Sequence, residues 1–216
     1  MPASTAIAAQ GTRFDIGAGA GTAIASLSSI TKASNAVITC TNTAAAGDVI
    51  VLGPTIAGMP EIAGRVGVVV SATGTAITCS INSTNFAAAA TGGTLTLFKS
   101  IDFTRVANFK SYSGFDGTKG ETDVSHLESD AKEFVPGLED FGQMSAEFDK
   151  DPTDAGQVAM EANKSANSVV PFRLVYRNGK VRAWRGFVKK WSESAGVDGS
   201  IKTSGDVRIS GAVAAN

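Results

Sequence analysis

Between Ile24 and Phe98 the only charged side chains are Lys32, Asp48, Glu61 and Arg65, whereas from Lys99 onward acids and bases are dense. A break that abrupt divides the chain into two modules. The first is rich in Ala, Thr, Ser, Gly and Val. Its short β-like runs are Leu27–Thr31, Ala36–Thr41, Asp48–Leu52, Arg65–Ser71, Thr75–Ile81 and Thr94–Phe98. Turn signals separate them at Ala46-Gly47-Asp48, Gly53-Pro54, Gly58-Met59-Pro60, Thr73-Gly74 and Thr91-Gly92-Gly93. Short strands at regular spacing with such turns predict a small all-β barrel or sandwich. The strings Asn35–Cys40 and Thr75–Cys79 are similar, which is a weak sign of an internal repeat.

The second module reads as antiparallel β with one helix. Thr12–Ile16 is a short strand ahead of the flexible run Gly17–Gly21. Ile101–Tyr112 reads as one long strand, with Ile101, Phe103, Ala107 and Phe109 on one face. Gln143–Asp149 alternates, with Met144, Ala146 and Phe148 inward. Asp151 as N-cap and Pro152 at the first helical position open a helix. Its apolar face is expected to be Ala155, Val158, Ala159, Ala162 and Ala166. In the strand Ser168–Arg177, Pro171 predicts an edge or a bulge. Asn178-Gly179 predicts a type I′ hairpin turn leading into Lys180–Ser192. Gly196–Gly199 makes a further turn, and the last strand, Ser200–Val213, carries a predicted bulge at Gly205.

Formal net charge is −1, which gives no general electrostatic case for binding nucleic acid or anionic membrane. No apolar run approaches the roughly 20 residues that span a bilayer. The N-terminus has no basic region ahead of its few apolar residues, so no signal peptide is expected and cytoplasmic synthesis is the default. The two cysteines, Cys40 and Cys79, lie outside any CxxC pair and read as small buried hydrophobes, with a disulfide disfavoured in the cytosol.

The stretch Gly120–Gly142 interleaves Glu121, Asp123, Glu128, Asp130, Lys132, Glu133, Glu139 and Asp140 with apolar Val124, Leu127, Phe134, Val135 and Leu138. Long loops inside compact domains are usually functional or disordered, and disordered segments lack such anchors. The stretch is either a long polar surface loop or it buries something, on its own domain or on a neighbour. No active site assembles around the single histidine, His126: no nucleophile elbow accompanies Ser125, and one histidine with two cysteines outside CxxC pairs completes no zinc set. Asp149, Asp151 and Asp154 fail the EF-hand spacing, since the sixth and twelfth positions are Asp154 and Met160. No cofactor is expected. The hairpin Arg173–Lys190 is basic, with Arg173, Arg177, Lys180, Arg182, Arg185, Lys189 and Lys190 interleaved with Trp184 and Trp191. It is either an outer sheet face or, less simply, a nucleic-acid surface. An acidic loop and a basic hairpin in one chain are explained most naturally as two halves of a self-association contact.

From Gly120 onward the chain resembles the major tail tube proteins of long-tailed bacteriophages. The resemblance rests on Gly120–Gly142, the strand to Phe148, Asp151–Gly156, Val169–Phe172, Arg185–Val188, Gly196–Gly199 and Arg208–Gly211 in order. The family often has threonine at position 126 and proline at 141, where His126 and Phe141 stand here. Thr12–Ile16 resembles the family's first strand. Gly47–Gly53, Gly58–Arg65 and the closing run Thr84–Gly93 resemble a small β module recurring in virion proteins, with aromatics reduced to Phe86 and alanine in the closing run.

The resemblance implies a mainly β protein: an antiparallel β-sandwich or barrel tube domain with one flanking helix (1–23 and 99–216) and an inserted small all-β domain (24–98), on the tube exterior. It implies hexameric rings, stacked into a hollow tube, with a tape-measure protein, tail terminator and baseplate or distal tail proteins as partners. Double-stranded DNA would pass without specific binding. The protein would lie in the virion tail after assembly in the host cytoplasm, with no membrane-spanning segment and no enzymatic activity. The expected inter-subunit arm is Glu121, Asp123, Val124, Leu127, Asp130, Lys132, Glu133, Phe134 and Leu138. The complementary surface is the basic hairpin. Alternatives are a host-glycan or host-protein binding module, the tube of a contractile tail or secretion apparatus, and a cell-wall hydrolase using Glu121, Asp123 and His126.

Overall fold

The computed structural model describes residues 7, 9–86, 92–128, 130–197 and 199–216. In chain order the strands are β1 (Arg13–Gly17), β2 (Thr22–Ile24), β3 (Ser29–Ile30), β4 (Val37–Thr39), β5 (Val49–Ile56), β6 (Val66–Thr73), β7 (Ala76–Cys79), β8 (Gly93–Phe98), β9 (Phe103–Arg105), β10 (Phe109–Gly114), β11 (Thr118–Asp123), β12 (Phe134–Asp140), β13 (Gln143–Asp149), β14 (Val170–Val175), β15 (Val181–Ser194), β16 (Lys202–Ile209) and β17 (Ala214–Ala215). The helix α1 (Ala155–Ala166) lies between β13 and β14. The strand pairings are antiparallel. The chain is therefore mainly β with antiparallel sheets and one helix, as the sequence predicts.

One eight-stranded sheet runs β10-β13-β16-β15-β14-β1-β9, with β17 on β15. It curls so that Phe14 of β1 meets Phe109 of β10 and Phe148 of β13 at ring-centroid distances of 5.9 and 6.1 Å. Phe14, Phe148, Phe172 and Trp184 are buried in this core with Met144 and Met160. A seven-stranded sheet runs β2-β8-β5-β6-β7-β4-β3 around a second core of Ile, Leu, Val and Ala. Cys40 and Cys79 are free and buried in it, and burial pushes the Cys79 thiol up to about 11. The two similar strings pair directly, Ile38 against Ile77. A third apolar cluster joins the sheets: Val49, Val66, Val68 and Phe98 meet Phe103, Val181, Ala183 and Ala214.

Local chemistry overrides several sequence expectations. Ile101–Tyr112 is not one strand. Its start is a 3₁₀ turn, Ser100–Asp102, that leaves Ile101 exposed, and it breaks after β9 because Val106 turns into the core. Asn108 there takes a positive φ of 59°. The helix begins later than expected: Asp154 is the N-cap, accepting from the Gln157 amide at 2.8 Å, while Asp151 holds Thr153. Its buried face is also rotated, to Gly156, Gln157, Met160 and Asn163, leaving Ala155, Val158, Ala162 and Ala166 exposed. The two amide side chains decide this. Gln157 Nε2 donates to the carbonyls of Asp149 and Ala107, and Asn163 Oδ1 accepts from the Val188 amide at 2.9 Å. Buried backbone groups that strands leave unpaired thus find partners on the helix.

Four turn or bulge readings also change. The strand β5 runs through Gly53-Pro54, with an irregularity between Leu52 and Ile56 in place of a turn. Pro171 lies at the start of β14, an interior strand, one position beyond its last pair with β1. At Asn178-Gly179 only Gly179 has positive φ; Gly179 N donates to Tyr176 O and Tyr176 N to Lys180 O, which makes a three-residue loop rather than type I′. Gly205 pairs regularly with Ala146 and Trp191, and the irregularity sits on β15 between Val188 and Lys190. Glycine is needed at 205 because a Cβ would meet the Trp191 ring at 2.8 Å. Residues 87–91 of the closing run and residue 198 of the Gly196–Gly199 turn lie outside the described residues.

A Cβ on Gly156 would stand 2.1 Å from the Arg105 carbonyl oxygen, so the helix meets the sheet here through backbone alone. Gly156→Ala should destabilise by about 1–3 kcal/mol, whereas Ala162→Ser on the exposed face should stay within about 0.5 kcal/mol. Urea unfolding of both variants checks the rotated face.

Candidate subunit interface

The stretch Gly120–Gly142 is largely a β-hairpin rather than a loop. Strands β11 and β12 pair only with each other, Asp123 opposite Phe134, Thr122 opposite Val135 and Glu121 opposite Pro136. Every residue of both strands is exposed. Its tip is held by short-range polar contacts. The Ser125 amide donates to Asp123 Oδ1 at 2.9 Å, the Glu133 amide to Ser125 Oγ at 2.9 Å, and Val124 N to Glu133 O at 2.9 Å. Lys132 pairs with Asp123 at 3.9 Å and Lys119 with Glu139 at 3.8 Å. The Ser125 hydroxyl and amide hold the Asp123 carboxyl below the usual carboxylate range.

The root of this arm is fastened to the main sheet. Phe115, at φ 62°, sets its ring edge-on to Trp184 at 5.0 Å, and the Arg182 guanidinium lies over the same ring at 4.8 Å. On the other strand, Arg208 of β16 donates to Asp140, whose second bond, from the Gly142 amide, also keeps its carboxyl low. Nothing in the linear sequence marks Arg208 as a partner of Asp140. The pairing of β13 with β16, Gln143 opposite Arg208, brings it there.

All the expected arm residues therefore fall on one hairpin. Glu121 and Asp123 lie on β11; Val124, Leu127, Asp130, Lys132 and Glu133 at the tip; Phe134 and Leu138 on β12. The apolar ones are displayed rather than buried: Leu138 is 95 % exposed, Phe134 48 % and Val135 51 %, and Leu127 is fully exposed.

The basic hairpin needs correcting. Arg173 is buried: its Nε lies 2.8 Å from Asp15, and its guanidinium sits 4.2 Å from the centre of the Phe103 ring. Strand alternation sends it toward the second sheet with Ala183, its partner in register. Arg182 is committed to Phe115, and Arg185 is half-buried beside Pro171. Arg177 and Lys180, on the β14–β15 turn, and Lys189 and Lys190, on β15, are the exposed members of the set. Asp149 is held by Lys110 at 2.8 Å and Asp154 by the helix start, so the spaced aspartates serve structure. Among the described residues no His/Cys/Asp/Glu group could hold a metal ion, and no helix is long and apolar enough to cross a membrane.

A family profile described as phage tail tube protein (TTP) matches residues 57–212. The chain belongs to that family. Its role is that of a structural component of the phage tail tube, in the virion tail. The match starts within the second sheet, ahead of β6, and runs through the arm to the end of β16. No curated protein sequence matches the chain. Similar solved structures include a chain from the virion of a native gene transfer agent particle, at 14 % identity, covering 55 % of this chain and 92 % of that one, with a TM-score of 0.46. Another is from the tail of an empty gene transfer agent particle, at 16 % identity, 53 % and 86 % coverage and a TM-score of 0.45. A third is from the baseplate of the anti-feeding prophage, at 10 % identity, 53 % and 83 % coverage and a TM-score of 0.40.

Arg173→Ala leaves the buried Asp15 with only the more exposed Arg13 Nε at 3.0 Å and should cost about 3 kcal/mol in urea unfolding, whereas Arg177→Ala should cost under about 0.5 kcal/mol. Asp123 has a depressed folded pKa, so its contribution to tip order is present above the ordinary carboxylate pKa and is lost as pH falls through the folded value. Carboxyl NMR titration should show a low Asp123 midpoint that Ser125→Ala moves upward.

Proposed function

We propose that this tail tube protein forms hexameric rings that stack into a hollow tube, and that the β11–β12 arm is the inter-subunit element of that polymer. The observation that carries the reading is the arm itself. An isolated two-stranded hairpin is marginal in water, and this one displays Val124, Leu127, Phe134, Val135 and Leu138 to solvent. Full burial of one such side chain is worth about 1.5–3 kcal/mol, which a neighbouring copy would supply. Acids outnumber bases along the arm, and the exposed Arg177 and Lys180 offer complementary charge on another copy.

Residues 24–98 form, in this reading, an all-β domain inserted between 1–23 and 99–216 and carried on the tube exterior. Support comes from the pairing of β2 with β8 and of β1 with β9, which keeps the entry and exit of that segment side by side. The other partners are the tape-measure protein, tail terminator and baseplate or distal tail proteins. DNA passes through the lumen without specific binding. Assembly takes place in the host cytoplasm, and the protein has no catalytic role.

Phe134→Ala and Leu138→Ala should each leave the unfolding free energy within about 1 kcal/mol of the parent. Each should raise the concentration needed for polymerisation about tenfold or more, as a loss of 1.4 kcal/mol or more per contact requires. Sedimentation and negative-stain microscopy read the polymer, and urea unfolding reads the fold. Unchanged polymerisation in both variants would overturn the arm assignment.

A further inference from the structure

The root of the arm is held in a conformation that its residues do not favour. Where the chain enters and leaves the arm, Gly114, Phe115 and Gly142 take positive φ, at 122°, 62° and 70°. Glycine adopts such angles freely, whereas a bulky side chain there is an outlier. Phe115 is kept there by its ring contacts with Trp184 and Arg182. The cost of a left-handed aromatic is of the same order as one edge-on ring contact plus one cation–π contact, so little holds the root in this conformation. The exposed Asp140–Arg208 pair adds a second weak hold on the returning strand. Hinges are built from a few such residues at the ends of elements.

Beside this root lies a space that the arm does not fill. Arg208 lies opposite Phe187, on the face of the main sheet that also carries Ala183 and meets the second sheet. The arm root and the loop after the 3₁₀ turn Pro60–Ile62 border an open cavity of about 350 Å³. Ala63, Gly64 and Arg65 line it from the second sheet, and Leu138, Glu139 and Phe141 from the arm. Leu138 lines this cavity and is still 95 % exposed, so closing the gap would bury it. Glu139 makes a loose, exposed pair with Lys119 at 3.8 Å, and Arg65 offers it opposite charge across the cavity.

We infer that the arm is a strap that closes over this cavity onto the second sheet of its own chain, with Phe115 and Gly142 as the hinge and Asp140–Arg208 as the catch that holds it open. Closure brings Leu138 against Ala63 and Gly64 and Glu139 to Arg65, and it releases Phe115 from its left-handed backbone. It is a property of the single protomer. A closed strap also hides Leu138 until a neighbouring copy lifts it, and this consequence alone rests on Leu138 being a polymer contact.

The test is disulfide trapping in the full-length free protomer carrying Ala63→Cys and Leu138→Cys, the native Cys40 and Cys79 being buried. Mild oxidation is expected to join positions 63 and 138 within one chain, read by peptide mass. Arg208→Ala, which opens the catch, should speed the trapping about three- to fivefold, as loss of one exposed ion pair allows, and Arg208→Lys should restore the slower rate. Cooperative urea unfolding checks that each chain is folded, and Glu61→Cys, exposed on the same wall, replaces Ala63→Cys if that chain does not fold. Absence of the bond in folded protein, or a trapping rate that Arg208→Ala leaves unchanged, would overturn the strap and leave the polymer reading to its own variants. The oxidised chain should polymerise only after reduction. Equal polymerisation of the oxidised and reduced chains would overturn the hiding of Leu138 while the trapped bond still stands for closure.

Discussion

The buried ion pair between Asp15 and Arg173 is the constraint around which the protomer closes. Removing two charges from water costs several kcal/mol per ion unless geometry and further contacts compensate. Here the compensation comes from three adjacent strands: Asp15 on β1, Arg173 opposite it on β14, and Phe103 of β9 stacked on the guanidinium. Loss of Asp15 strands the buried Arg173 charge, and loss of Arg173 leaves Asp15 only the more exposed Arg13 at 3.0 Å. Since β1 and β9 flank residues 22–98, their pairing also brings together the two ends of the segment that forms the second sheet.

That second sheet is fused to the main one rather than hung from it. Val49, Val66, Val68 and Phe98 give up water only by meeting Phe103, Val181, Ala183 and Ala214. The same face of the main sheet carries Arg173 and Ala183, so the apolar seam and the ion pair occupy one layer. Burial of the seam excludes water from the pair, and the pair holds the strands that offer the seam. The helix on the opposite core is fixed in a different currency, by the amides of Gln157 and Asn163, whose bonds to backbone are directional where its alanines are not.

The arm obeys neither rule. Every residue of its two strands is exposed, and its root is fastened through Phe115 on Trp184 and Asp140 on Arg208. Such a root with an exposed apolar ribbon is the physical complement of the well-filled protomer core.

Strand periodicity and turn residues carried most of the architecture. The inward set Met144, Ala146 and Phe148 and the low-charge β segment follow from residue type and spacing, because burial imposes those patterns locally. The family likeness likewise resides in linear motifs. What only the tertiary structure decided are choices between partners distant in sequence. The buried face of α1 went to Gln157 and Asn163 because unpaired backbone groups lay under them. Gly205 was needed for the Trp191 ring, not for a bulge. Arg173 left the basic surface because its strand neighbour is Asp15. Arg208 became the arm's anchor because β16 lies beside β13. In each case a polar or steric requirement is met across the sheet. Sequence reports which groups need a partner, and only the three-dimensional register says which partner they receive.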